Sequence, residues 1–316
     1  MNHLRITCAE KEILADSAFR FEFDAIYSEY GKLNQQQFYA VKDQNIVIIN
    51  KQRVDERVIA NNPQLRLIAV CSTGFEHINL PLLRKNGIQA CNVRGYAGDT
   101  VAEHAFLLMM NLVKNFAAQY EAVKSGEWSA SARSCFVAAP IQELKGKHLA
   151  IIGMGETGRA LAGKAQAFGM KVSFSERKHA HACRPGYIPF EQAISQADIL
   201  SLNCELNQDT HRLIDASVLS RMKSGSFLVN VGRGGLIDED DVVQALQEGR
   251  IGGFATDVLN QEPPVKTHPF LMLKNMNVIV TAHIAWATQE ARNRMFEVLN
   301  RNINAFVAGE PQNLIT

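Results

Sequence analysis

Ten short apolar runs recur along the chain, at 4–8, 45–49, 65–71, 89–93, 148–152, 171–174, 199–204, 227–231, 253–258 and 278–281, and segments of helical period separate most of them. That alternation predicts an α/β protein whose parallel sheets are covered by helices on both faces. Ten strands are too many for one short open sheet, so the chain is expected to divide. The turn-rich Arg94-Gly-Tyr-Ala-Gly-Asp99 marks a hinge near residue 98. Asp99 or Thr100 is placed to cap a long helix starting at Val101, and Glu103 three residues after Thr100 fits a capping box. At the other end, Ala291, Met295, Val298, Leu299, Ile303 and Phe306 keep helical spacing with no strand after them. A last helix returning to the first domain makes that domain discontinuous. The 121–147 stretch is polar, weakly periodic and long for a connection, and is read as an arm for a partner subunit.

Composition narrows the classes. At roughly 150 residues per domain, 316 residues suggest two domains. Lys plus Arg is 33 and Asp plus Glu is 32, giving a formal charge of +1, without the basic excess of a nucleic-acid binder. With 47% hydrophobic and 21% charged residues the chain reads as globular throughout. The amino terminus lacks the apolar core of a signal peptide, and the most apolar longer stretch, 101–113, is interrupted by Glu103 and His104 and too short to span a bilayer. No membrane role is expected. Six cysteines without a C-x-x-C pair suggest reduced thiols in a cytoplasmic protein.

One motif joins two elements. The run at 148–152 leads into Gly153-Met154-Gly155-Glu156-Thr157-Gly158, and Leu161, Ala165 and Phe168 then fall on one helical face before Gly169. In a dinucleotide-binding turn the first glycine permits the tight bend, the second lets the pyrophosphate approach the backbone, and the third allows close helix-to-strand packing. A second strand ends at Glu176, eighteen residues after Gly158. A carboxylate there accepts hydrogen bonds from the adenosine ribose and favours NAD over NADP, although Arg177 and Lys178 offer counter-charge for a 2′-phosphate. His179, His181 and Cys183 alternate like metal ligands, but no fourth ligand accompanies them and no metal is expected.

Three further strands end in chemistry. Asn230-Val231-Gly232-Arg233 sets an arginine among glycines, Thr256-Asp257 is followed by Glu262, and Thr281-Ala282-His283 closes the last strand. In open α/β sheets ligands bind beyond such carboxyl ends. Hydride transfer to a 2-oxo acid needs a cation for the substrate carboxylate and an acid for the nascent alkoxide, and a carboxylate beside a histidine favours its imidazolium form.

Together these residues resemble the D-isomer-specific 2-hydroxyacid dehydrogenases over essentially the whole length. The most specific pieces are Gly153-Met-Gly-Glu-Thr-Gly158, Asn230-Val-Gly-Arg-Gly-Gly-Leu-Ile-Asp238, Thr256-Asp-Val-Leu-Asn-Gln-Glu-Pro263 and His283-Ile-Ala-Trp-Ala-Thr288. The resemblance implies that Arg233 is the catalytic arginine, Glu262 the carboxylate paired with histidine, and His283 the acid/base. It implies NAD(H) contacts from Thr100, the whole 153–158 turn, Glu176, Val231, Gly232, Arg233 and His283, with Asp257 on the nicotinamide carboxamide. Ser72, Thr73 and Gly74 look like the loop that receives the substrate carboxylate, joined by Arg233, His283 and Trp286, with Arg94 and Tyr96 shaping the pocket. The implied architecture is a flavodoxin-like substrate domain, 1–98 with 287–316, and an inserted Rossmann-type NAD-binding domain, 99–286, through which a homodimer forms.

Within the family, Glu176-Arg-Lys178 and His283-Ile-Ala-Trp286 are most similar to glycerate dehydrogenases (hydroxypyruvate reductases), with glyoxylate or another 2-oxo acid as the alternative substrate. Departures stand at Ala282, where the family commonly has proline, and at Ala285-Trp286, where it has Gly-Ser; both alter the pocket wall. Glu262, where formate dehydrogenases carry glutamine, argues against formate, and the length fits the longer phosphoglycerate enzymes poorly. Two other classes are weighed: an NAD(H)-sensing corepressor-like binding protein, and an adenosylhomocysteinase-like hydrolase.

Overall fold

Ile46, Val47, Ile48 and Ile49 are all buried, as are Leu67, Ile68, Ala69 and Val70, which is how strands covered on both faces look. The computed structural model describes residues 3–14, 17–274 and 276–316. The chain forms two units, Met1–Ala97 with Ala287–Thr316, and Gly98–Trp286.

The first unit contains β1 (Leu4–Cys8), β2 (Ala25–Glu29), β3 (Ile46–Ile49), β4 (Leu67–Val70) and β5 (Gln89–Cys91). These pair in parallel in the order β2-β1-β3-β4-β5. β2 is absent from the ten runs because it is an edge strand of mostly exposed residues, with no apolar run to show. The Gln289–Val307 helix belongs to this unit, so the unit is discontinuous in sequence; Thr288 caps it by accepting from the Ala291 amide, and Ala291, Met295, Leu299 and Ile303 are buried.

The second unit contains β6 (His148–Ile152), β7 (Lys171–Ser175), β8 (Tyr187–Ile188), β9 (Ile199–Leu202), β10 (Phe227–Asn230), β11 (Gly253–Thr256) and β12 (Val278–Val280). All are parallel, in the order β12-β11-β10-β9-β6-β7-β8. β8, at two residues, is too short to announce itself as a run. Side chains of the central strands alternate between two cores. Leu149 and Ile151 join Phe227 and Val229 on one face, whereas Ile152, Leu200, Leu202 and Leu228 pack on the other. Each fully buried Leu or Ile there contributes roughly 1.5–3 kcal/mol.

The long helix spans Gly98–Lys114, so Asp99 and Thr100 lie inside its first turn and the expected cap and capping box are not formed. Their side chains serve packing instead: Asp99 pairs with Lys164 at 2.8 Å, and the Thr100 hydroxyl donates to the Ala285 carbonyl at 3.3 Å. The 121–147 stretch is partly helical, continuing Phe116–Lys124 and adding Glu127–Ala130. Phe116, Tyr120 and Val123 form an outward apolar stripe there, each more than half exposed. No described helix is long and apolar enough to cross a membrane.

Candidate active site

Strand register puts the candidate chemistry on one edge of the seven-stranded sheet. Ser175 pairs with Ile152, Ile152 with Leu202, Leu202 with Asn230, Asn230 with Thr256, and Thr256 with Val280. The residues just past this row are Glu176, Gly153, Asn203, Val231, Asp257 and Thr281. The strand order reverses between β6 and β9, the switch point where open α/β sheets receive ligands.

The three glycines of the β6 turn behave as a phosphate cradle requires. Gly153 has φ +105°, and a methyl on it would lie 2.6 Å from the Asn203 carbonyl oxygen. On Gly158 a methyl would lie 2.0 Å from the Gly153 oxygen, so only glycine lets the helix Glu156–Ala167 sit this close to the strand. Nothing lies within 4 Å of the same position on Gly155, the open face that backbone approach by a pyrophosphate needs. Gly155 is the N-cap, so the first-turn amides of Glu156, Thr157 and Gly158 face this end. The buried Asn203 Oδ1 beside it has no hydrogen-bond partner. These residues fit a dinucleotide.

Past β10 the backbone is wedged. A methyl on Gly234 would lie 2.1 Å from the Leu259 carbonyl carbon, and one on Gly232 would meet Leu236 at 2.7 Å and the Cys204 oxygen at 3.1 Å. Asn230, fully buried, staples the turn: its Oδ1 accepts from the Gly232 amide at 3.1 Å and its Nδ2 donates to the Arg233 carbonyl at 2.9 Å. Arg233 is therefore held on a rigid loop, with Nη1 donating to the Gly232 carbonyl at 2.9 Å. The Leu259 turn against which it packs also carries Glu262, whose Oε1 accepts from the Leu259 amide at 2.9 Å. The other oxygen, Oε2, lies 2.7 Å from His283 Nδ1. About a third of each side chain is exposed, so the pair is open to a ligand.

His283 itself has φ +56°, a left-handed conformation that a non-glycine residue adopts at a cost of about 1–2 kcal/mol. Asp257 compensates. Its carboxylate, 1% exposed, accepts from the Thr281 hydroxyl at 2.6 Å, the Ile284 amide at 2.9 Å and the Ala285 amide at 2.8 Å. Behind it, His104 Nε2 lies 2.9 Å from the Thr281 hydroxyl. Asp257, expected at the nicotinamide, is thus also the anchor of the loop that carries the acid/base histidine. Trp286 follows on that loop, half-buried.

Glu176 differs from expectation. Its Oε1 accepts from the Arg177 amide at 2.9 Å and Arg184 Nη2 at 2.7 Å, and its Oε2 from the Arg184 amide at 3.0 Å and Nε at 2.8 Å. The Arg184 side chain, then its amide, hold this carboxyl down at about 2. A carboxylate has about four acceptor positions, so a ribose hydroxyl must displace a bond already made. Lys178, expected as counter-charge, is turned to Asp215 at 3.2 Å. Asn230 and Thr281 stand in the sequence motifs without a role assigned to them, each as the polar end of an apolar run, and His104 and Arg184 carry no such signal.

In the other unit, the loop after β4 is pinned by Ser72 Oγ to the Gly74 carbonyl at 2.6 Å, Thr73 Oγ1 to the Val93 carbonyl at 2.8 Å and Asn92 Nδ2 to the Thr73 carbonyl at 2.7 Å. Arg94 Nε donates to Asn92 Oδ1 at 3.1 Å, and Tyr96 is buried. Among the described residues no cluster of three or more His, Cys, Asp or Glu could hold a metal ion, His179, His181 and Cys183 included.

Comparison with known proteins identifies the family. A family profile described as the NAD-binding domain of D-isomer-specific 2-hydroxyacid dehydrogenases matches residues 106–285. A glycerate dehydrogenase of Methylorubrum extorquens is 34% identical over 313 residues, covering 98% of both chains. A glyoxylate reductase of Thermococcus litoralis is 33% identical over 279 residues, covering 85% of this chain and 82% of that one. Among solved structures, a D-lactate dehydrogenase of Aquifex aeolicus complexed with NAD and lactic acid superposes with a TM-score of 0.77 at 26% identity, covering 97% of this chain and 96% of that one. The chain belongs to the D-isomer-specific 2-hydroxyacid dehydrogenases, oxidoreductases acting on a CH–OH group with NAD.

Proposed function

We propose that this chain reduces a small 2-oxo acid, hydroxypyruvate first and glyoxylate second, to its D-2-hydroxy acid with NADH. The observation that carries the reading is the 2.7 Å contact between Glu262 Oε2 and His283 Nδ1 beside the wedged Arg233 turn. When bound, the nicotinamide supplies the hydride. Arg233 grips the substrate carboxylate and polarises its carbonyl through a planar fork of donors. Because Nδ1 of His283 is committed to Glu262, Nε2 is the atom that delivers the proton to the nascent alkoxide and takes it back in the reverse direction. Glu262 fixes the orientation of the ring, and Asp257 fixes the loop beneath.

The 153–158 turn, with Thr100, Val231 and Gly232, holds the dinucleotide, and Asp257 serves the carboxamide. In the other unit, the hydroxyls of Ser72 and Thr73 and the Thr73 carbonyl are engaged within their own loop, which leaves the backbone amides of 72–74 as the groups that loop can offer an anion. Trp286, half-buried on the His283 loop, is the residue of that loop assigned to the substrate pocket wall. The likeness to a glycerate dehydrogenase over 98% of both chains supports hydroxypyruvate as the first candidate. The exposed Phe116, Tyr120 and Val123 stripe is the face for a second copy of the chain. A panel of 2-oxo acids assayed with NADH and NADPH tests the reading: hydroxypyruvate should give the highest kcat/KM, and oxidation of neither cofactor by any member would overturn it.

A further inference from the structure

The glycine turn and the loop after β7 meet. A methyl on Gly186 would come within 3.8 Å of Met154 Cε, so the 184–187 loop borders the cradle, and Arg184 opens that loop. Its side chain is half exposed, lies over the Tyr187 ring at 4.1 Å, and faces Glu176 with Nε and Nη2. The carboxylate that should discriminate against a 2′-phosphate is thereby neutralised by a guanidinium on its own doorstep. Of the other cations nearby, Lys178 is bound to Asp215, and Arg177 contributes its amide to Glu176 while its side chain points outward, exposed.

We propose that Arg184 is the residue that selects the adenosine 2′ end of the cofactor, exchanging its fork between Glu176 and a 2′-phosphate so that the chain accepts NADP(H) as well as NAD(H). The inference rests on the dehydrogenase reading for the presence of a dinucleotide, and adds which residue decides its kind. A guanidinium fork matches phosphate and carboxylate alike, so the exchange replaces one two-point ionic contact with another, and the Arg177 and Arg184 backbone amides remain on the Glu176 carboxylate when the fork leaves. With NAD(H) no phosphate competes, and a ribose hydroxyl displaces at most one of the four bonds to Glu176, so the guanidinium stays paired with it. Two functions of one side chain follow: it covers the buried carboxylate when the 2′ position bears a hydroxyl, and it leaves when that position bears a dianion.

Binding of NAD+ and of NADP+ to the purified protein, by calorimetry, tests this without turnover. Arg184→Gln should raise the Kd for NADP+ by about tenfold, as expected for the loss of one charge-assisted contact, and move that for NAD+ by less than about threefold. Glu176→Gln, which releases the fork while keeping the shape of its partner, should lower the Kd for NADP+ by about the same factor. Thermal melting establishes that each variant is folded, and if Arg184→Gln does not fold, Glu176→Gln decides alone. NAD+ binding with an unmoved ratio of the two constants overturns the role of Arg184 and leaves the dehydrogenase reading standing. Failure of the unaltered chain to bind either dinucleotide overturns both.

Discussion

Asp257→Asn puts the anchoring of the His283 loop to a quantitative test. The carboxylate accepts three hydrogen bonds at 2.6, 2.9 and 2.8 Å and is 1% exposed. An asparagine oxygen in the Oδ1 position retains two of them as neutral bonds. Its amide nitrogen then faces the Ala285 amide, donor against donor, inside a dry site. Bonds to a charged group contribute roughly 1.5–3 kcal/mol each, and a buried unsatisfied donor costs roughly 1–3 kcal/mol. The variant should lose about 3–5 kcal/mol, which for a unit of this size lowers the melting temperature by about 10 °C. Freed of its anchor, His283 relaxes from φ +56°, and misplacement of a reacting group by about 1 Å reduces kcat by about a hundredfold. Thr281→Val removes one donor to Asp257 and should show a smaller loss of the same kind, less than additive with Asp257→Asn because the two side chains share one bond. Calorimetric melting and steady-state kinetics measure both quantities. An Asp257→Asn chain with the melting temperature and kcat of the parent would refute the anchoring.

Two further expectations are narrower. Gly158→Ala places a methyl 2.0 Å from the Gly153 oxygen, so the helix must back away from the strand; NAD+ affinity should fall by more than tenfold, read by calorimetry, for a residue that needs no side chain of its own. The Glu176 carboxyl, lowered from 4.5 to about 2 in the fold, stabilises the chain fully above pH 4.5, and that contribution disappears as pH falls toward 2. The melting difference between the parent and Arg184→Gln should therefore shrink over that interval, and a constant difference would contradict the pairing.

The α/β organisation is legible because strands buried on both faces must be apolar at every position, as in Ile46–Ile49, and helices between them must keep a 3.6-residue period. The glycine turn is legible for a related reason: positive φ and a 2.0 Å approach permit one residue type only, so geometry is written as composition. Glu262 and His283 lie past the ends of β11 and β12 and stand out in the sequence, although their contact depends on how the Leu259 turn folds. Edge strand β2 has one exposed side, and its alternation is swamped by neighbouring aromatics. The start of the Gly98–Lys114 helix is not legible because Asp99 and Thr100 have cap chemistry but are spent on Lys164 and Ala285, partners distant in sequence. Arg184 is hidden in the same way. An arginine before a Pro-Gly turn is ordinary in sequence, and only the return of the loop past β7 brings it onto Glu176.

The central claim is that His283, oriented by Glu262, transfers the proton to a small 2-oxo acid. Its most direct measurement compares the parent chain with His283→Ala, following NADH consumption with hydroxypyruvate and, separately, NADH binding by fluorescence. Loss of a general acid should reduce kcat by about 10²–10⁴-fold while the Kd for NADH stays within about threefold. A His283→Ala chain that turns over hydroxypyruvate at the parent rate would contradict the account.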